Sequence, residues 1–173
     1  MKEFTPEYLD EIRDIIGSHN DAEARAALAD LHPADVAELY QDLDLSEAEY
    51  LYKLLDDETA AEVLMELDDD DRQKLLDDMP AEMIAKQIDH LDTDDAVDLI
   101  QQLDAEERDE ILSHIDDVEQ AGDIIDLLKY DEDTAGGLMG TEMLVVNENL
   151  SMPECIKELR SQAEDMDEIY YVY

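Results

Sequence analysis

The sequence predicts a mainly α fold: a right-handed superhelix of short helices on a 12-residue repeat, followed by a partial α/β module. Three observations carry that expectation. Every twelfth residue along the middle of the chain is a large aliphatic, namely Leu31, Leu43, Leu55, Leu67, Met79, Leu91, Leu103 and Ile115. A strict period of this length marks one helical unit stacked on itself, and such stacks make interaction surfaces rather than enclosed catalytic pockets. Helix formers dominate the composition, with only 5 glycines and 4 prolines, which favours helix over most of the length. The residue pattern then changes near the C-terminus, where β-forming runs replace the repeat.

Taken in order, Pro6–Ile16 reads as a first helix, with Pro6 near its start and Gly17 just past its end. Asn20 or Asp21 caps a second, Ala22–Asp30, a weak extra copy of the unit. Within each following unit, with the aliphatic as position zero, apolar residues recur at positions five, eight and nine. Val36, Leu39 and Tyr40 are one example, and Ala96, Leu99 and Ile100 another. Steps of three and four define one helix face. Each unit is then a helix of about two turns, too short to stand alone but able to bury a continuous core when stacked. Position one is aspartate in six of the eight units: Asp44, Asp56, Asp68, Asp92, Asp104 and Asp116. An aspartate there is a natural N-cap for the helix that comes next. His32, which precedes Pro33, reads as structural at a helix start. Arg72 and Arg108 stand at position five and Asp123 at position eight, so the pattern is expected to loosen in those units as a bend or an end of the stack.

A connector over residues 131–142 holds Thr134-Ala135-Gly136-Gly137-Leu138-Met139, whose paired glycines permit a positive-φ turn or a close backbone approach. Met143–Val146 is a short β-forming run, succeeded by a turn at Asn147-Glu148-Asn149. Ser151 and Glu154 form a capping-box pair ahead of a helix bearing Ile156 and Leu159, and Ile169–Tyr173 reads as a strand. The expected division is an acidic α-superhelix over 1–130, the connector, and one βαβ over 143–173. A βαβ ending on an apolar strand is an unfinished sheet, expected to belong to a longer protein or to be completed by a partner chain.

The charge limits the partners. With 52 acidic against 11 basic residues and a formal net charge of -41, the surface repels nucleic acid and anionic lipid headgroups. Cations and basic surfaces are its counterparts. Cys155 is the single cysteine, so no intrachain disulfide forms, and no apolar run reaches the roughly 18–20 residues of a membrane span. No phosphate-binding glycine loop, CxxC or HExxH grouping appears. Asp68–Asp71 resembles part of a calcium loop, but Arg72 falls where a ligand belongs and the required glycine is missing. No enzyme chemistry is indicated.

What remains is paired acidity. Positions three and seven lie one helical turn apart, opposite the apolar stripe, and both are acidic in Glu58/Glu62, Asp94/Asp98 and Glu106/Glu110. Like charges at that spacing cost a few tenths of a kcal/mol in an isolated helix, so local stability does not account for them. Two readings stand: a solvated face, or a surface that holds a hard divalent cation such as Mg²⁺ through one or two carboxylates.

The stretch His32-Pro33-Ala34-Asp35-Val36-Ala37-Glu38-Leu39, the repeated Leu-Asp units, Ala60-Ala61-Glu62-Val63-Leu64 and Asp131–Glu142 together resemble the MgtE-type magnesium transporters. The resemblance covers nearly the whole chain, and the Thr-Ala-Gly-Gly-Leu-Met connector is its most specific part. It implies a soluble regulatory region at the cytoplasmic face of the membrane, with residues 143–173 as the start of a CBS module. In that family Mg²⁺ bound between superhelix and CBS modules compacts the cytosolic part and closes the pore. It further implies Mg²⁺ as the ion, with Mn²⁺ or Ca²⁺ as stand-ins in vitro, a homodimer, and contacts with its own CBS modules and membrane domain. By matching motifs it suggests Glu62, Asp94 and Asp98 as metal ligands and the Gly137 backbone carbonyl as a fourth, with Asp95 beside them. Two other classes compete: a protein-docking scaffold like those of flagellar rotor switches, and a soluble CBS-linked adaptor for an adenine nucleotide.

Overall fold

A computed structural model describes residues 4–131, 133–163 and 171–173. Eleven helices are present among them. Ten make the stack: α1 (Pro6–Ser18), α2 (Asp21–Leu28), α3 (Pro33–Gln41), α4 (Leu45–Tyr52), α5 (Asp57–Glu66), α6 (Asp69–Asp77), α7 (Ala81–Ile88), α8 (Thr93–Gln101), α9 (Ala105–Leu112) and α10 (Val118–Leu127). The eleventh, α11 (Met152–Gln162), stands apart from them. Links of a few residues turn the chain sharply, so that next-but-one helices lie together. The helix α3 packs on α5, α5 on α7, α7 on α9, and α8 on α10.

The repeat explains the packing. One buried cluster runs from Ile12 to Leu127 and takes most of its members from positions five, eight and nine, with Ala37, Ala61, Ala85 and Val97 from position six and Leu67, Leu91, Leu103 and Ile115 from position zero. Val63, Leu64, Ile88, Leu99, Ile100 and Ile124 are 0% exposed. The stripe expected from the spacing is the core. Its buried polar exception at position eight is Gln87, whose side-chain oxygen accepts a 2.6 Å hydrogen bond from the Tyr52 hydroxyl, while Asp123 at the same position of the last unit is half-buried. Burial pushes that phenol well above its usual range, the Gln87 contact opposing the shift.

Position one is the N-cap in five of the six aspartate units. Asp56 accepts from the Thr59 amide at 3.0 Å and Asp68 from the Asp71 amide at 2.9 Å. Asp104 accepts from the amides of Glu106 and Glu107 at 2.9 and 3.0 Å. The sixth expectation is displaced by one residue, because Asp117, not Asp116, caps α10. The Asp89 carboxylate already receives the backbone amides of Asp116 and Asp117 at 3.4 and 3.5 Å. The start of the chain shifts in the same way: α1 runs through Gly17 and stops at His19, which adopts the left-handed conformation at φ 50°. Histidine tolerates that region better than most residues, and the ring stacks edge-on against Tyr50 at 5.8 Å.

The expected loosening at Arg72 and Arg108 does not occur. Arg72 is 8% exposed, and its guanidinium donates to the carbonyls of Leu64, Met65 and Leu67, each at 2.9 Å. Those carbonyls close the end of α5, which has no intrahelical donor left for them. Arg108 donates to Leu103 and Gln101 at 2.8 and 3.3 Å, at the end of α8. Gln120, also at position five, donates to Ile88 and Leu91 at 3.1 and 2.8 Å, at the end of α7. Arg13 reaches Asp42 O at 2.8 Å, and Arg25 reaches Leu54 O. A long polar side chain at position five therefore replaces the apolar one by capping a helix terminus and burying its stem.

Beyond the stack, Leu144 and Val172 form a parallel bridge flanking α11, with Val146 N donating to Tyr173 O at 2.7 Å and Tyr173 N to Leu144 O at 2.8 Å. No longer strand forms among the described residues, and Ile169 and Tyr170 of the expected second strand lie outside them. The Ser151–Glu154 capping box is present, with Ser151 N donating to Glu154 at 2.9 Å. The helix it starts buries none of its residues, and Met152 and Tyr171 remain 72% and 73% exposed.

Candidate cation-binding junction

The three acidic pairs read from the spacing face different surroundings. Glu58/Glu62 on α5 and Glu106/Glu110 on α9 are exposed, as expected of the side opposite the stripe. Glu62 has no hydrogen-bond or ion-pair partner among the described residues. Asp94/Asp98 on α8 differ. Asp94 is half-buried and Asp98 exposed, with half-buried Asp95 between them.

The connector comes to these residues. Glu142 accepts from the Thr93 amide at 2.9 Å and from the Thr93 hydroxyl at 3.1 Å. Thr141 N donates to Thr93 Oγ1 at 3.0 Å, and the two threonine hydroxyls are 2.9 Å apart. The backbone of Gly140 passes so close that a Cβ there would stand 3.0 Å from Glu142 Oε2 and 3.7 Å from Asp94 Cγ and Oδ1. Burial raises the Asp95 carboxyl above its ordinary value, the charges of Asp94 and Asp98 raise it further, and Glu142 adds to them against the opposing charge of Arg72. Four carboxylates, from Asp94, Asp95, Asp98 and Glu142, thus share one junction with one compensating arginine nearby.

Gly137 lies in the same connector, in a turn where its amide donates to Thr134 O at 3.1 Å and Thr134 Oγ1 at 3.2 Å. No glycine among the described residues has a positive φ. The close-approach alternative holds instead at Gly136, where a Cβ would meet the Tyr130 ring at 2.4 Å. The structure therefore brings Asp94 to the connector, with Asp98 exposed one turn further along α8, and leaves Glu62 on its own exposed face. Thr93, Thr141 and Glu142 were missed as site residues. Thr93 could have been found, since it is the one threonine at position two of the eight units, but its partner 49 residues away could not.

The junction is acidic, and burial together with the charges of Asp94 and Asp98 raises the Asp95 carboxyl. Among the described residues, no group of three or more Asp, Glu, His or Cys side chains converges as a metal site. Mg²⁺ would here be held by one or two carboxylates and keep most of its waters.

Fold and junction together define a helical-repeat domain that presents a polyanionic face and straps its outgoing linker across the N-terminus of one helix. The sequence model of the MgtE intracellular N domain matches residues 31–133, beginning at the first aliphatic of the repeat, and the chain belongs to that family. It is 40% identical over 55 residues to the magnesium transporter MgtE of Enterococcus faecalis, which is 32% of this chain and 12% of that protein. It is 45% identical over 47 residues to the magnesium transporter MgtE of Thermus thermophilus, 27% of this chain and 10% of that one. The matched stretch thus spans about a tenth of those relatives' length. Among solved structures, the soluble part of a magnesium transporter superposes with TM-score 0.79 at 29% identity, covering 96% of this chain and 66% of that one. The cytosolic domain of the Mg²⁺ channel MgtE in complex with ATP gives TM-score 0.85 at 27% identity, covering 95% and 67%. The family assignment favours the transporter resemblance over the rotor-switch scaffold. No helix among the described residues is long and apolar enough to cross a membrane.

Proposed function

We propose that this chain is the cytosolic regulatory region of a magnesium channel or transporter and senses intracellular Mg²⁺ without catalysing a reaction. The observation that carries the reading is the junction, where the connector, fastened by Glu142 on Thr93, comes beside Asp94, with Asp95 and Asp98 following on the same helix. At low Mg²⁺ the net charge of -41 favours separation of the stack from the CBS modules. A divalent cation that binds only the compact arrangement shifts the population toward it. Asp94 and Asp98 supply carboxylate oxygens in this scheme, and Glu62 and the Gly137 carbonyl would contribute only once the CBS modules close on the stack. Residues 143–173, with their parallel bridge and the exposed Met152 and Ile156 of α11, are the part through which those modules, a membrane domain and a second protomer would be reached. The ATP-bound relative supports a nucleotide site as well.

Calorimetric titration with Mg²⁺, against Na⁺ at matched ionic strength, tests this on the chain and on a form extended through both CBS modules. The expected result is Mg²⁺ binding that falls at least about tenfold in Asp94→Asn with Asp98→Asn, tenfold being about 1.4 kcal/mol. Equal binding by the double variant would remove both residues as ligands.

A further inference from the structure

We propose that Glu142 fastens the connector to the helix stack, and that a cation on Asp94 and Asp98 tightens the fastening; the second half rests on the Mg²⁺-sensing function proposed for the chain. Elsewhere in the stack, helix N-termini that receive a carboxylate receive it from within their own turn, as with Asp44 and Glu47, Asp56, Asp68, Asp104 and Asp117, or from within the stack, as Asp89 receives the amides of Asp116 and Asp117 ahead of α10. At α8 the amide of the first helical residue, Thr93, is taken by Glu142 from 49 residues downstream. Thr93 is 2% exposed with the connector in place, so its amide and hydroxyl would be left buried and unpaired by a connector docked out of register. A buried polar group left unpaired is costly, which makes docking specific to one register: Thr141 against Thr93 and Glu142 over the helix end. Glu142 is therefore a positioning residue. It sets where the chain leaves the stack and hence how the segment beyond residue 143 is aimed.

The fastening works against a like-charge cost. The carboxylate of Glu142 docks beside those of Asp94 and Asp95, while the backbone of Gly140 lies over Asp94. The helix terminus and three donors offset that repulsion. A cation held by Asp94 and Asp98 lowers it, so the connector closes more tightly without Glu142 having to be a ligand. Ion binding and linker position then become one coupled equilibrium.

Hydrogen exchange at the Thr141 amide reads the contact, because that amide donates both to Thr93 Oγ1 at 3.0 Å and to Glu142 Oε2 at 3.1 Å. In the full chain without divalent ions, Glu142→Ala and Thr93→Val should each speed its exchange about tenfold. The double variant should add little, since both remove one contact. Mg²⁺ should slow exchange in the wild type by about threefold or more relative to Na⁺ at equal ionic strength. Glu142→Ala leaves the exposed side of the stack intact, and unchanged far-ultraviolet circular dichroism certifies that it folds. Unchanged exchange in that variant, or multiplying effects in the double variant, would overturn the fastening. A wild-type rate indifferent to Mg²⁺ despite calorimetric binding would overturn the coupling. Binding that survives Asp94→Asn with Asp98→Asn would sink the ligand assignment and leave the fastening standing.

Discussion

Replacing Arg72 by methionine is the most informative single perturbation of the stack. The change keeps an unbranched, flexible side chain in the space of the arginine stem and removes every donor. Three carbonyls at the end of α5 lose their partner, those of Leu64, Met65 and Leu67, each now 2.9 Å from the guanidinium. The contacts to Leu64 and Leu67 are buried and that to Met65 is partly so. An unsatisfied buried acceptor costs about 1–3 kcal/mol. Taking the low end for all three, the variant should lose about 3 kcal/mol. The ion pair to Asp69 at 3.3 Å adds little, since that carboxylate is 90% exposed. For a chain of this size such a loss corresponds to a melting point about 6–12 °C lower. Urea unfolding followed by circular dichroism measures it, with Arg108→Met as the internal comparison. Arg108 caps the end of α8 through two partly buried contacts and should cost about 1 kcal/mol. If the two variants lose equal stability, or Arg72→Met loses less than about 1 kcal/mol, buried capping by position five is refuted.

Tyr52→Phe should destabilise the chain by about 1–2 kcal/mol by stranding Gln87 inside the stack, and adding Gln87→Leu should recover part of the loss, because making both partners apolar is cheaper than orphaning one. A double-mutant urea series measures this, and additive losses would contradict it. Asp95 should make the stack less stable as pH rises. Its carboxyl is raised by burial and by Asp94 and Asp98, so the native state holds the proton more tightly than the unfolded chain. Its stabilising contribution is complete below the ordinary carboxylate value and disappears as pH climbs through the raised one. Asp95→Asn should therefore raise the urea midpoint at neutral pH and low salt, with the advantage shrinking in acid. Asp56 runs the other way: the Thr59 amide lowers its carboxyl, so its contribution is present above the ordinary value and is lost as pH falls through the lowered one. Asp56→Ala should cost about 1 kcal/mol at neutral pH by removing the cap of α5, as read in the same titration.

The fold was legible wherever information is local. A buried stripe at fixed spacing and an aspartate ahead of each two-turn helix are properties of single units, and Val36, Leu39, Tyr40, Asp56 and Asp104 sit where the period puts them. The apparent defects at Arg72 and Arg108 were misread because a lone unit shows only that an apolar residue is missing. The carbonyls that receive the guanidinium belong to the preceding helix, and their need for donors exists only once that helix has ended. At the candidate site, spacing picked out Asp94 and Asp98 together with Glu62, Glu58, Glu106 and Glu110, which are alike in sequence. The sequence by itself determined the repeat, the charge and the caps, because each depends on neighbours within a helical turn. Which acidic pair meets the connector was decided by tertiary structure alone. Glu142 reaches Thr93 across 49 residues, and such a contact arises from the stacking of whole helices, which no local pattern encodes.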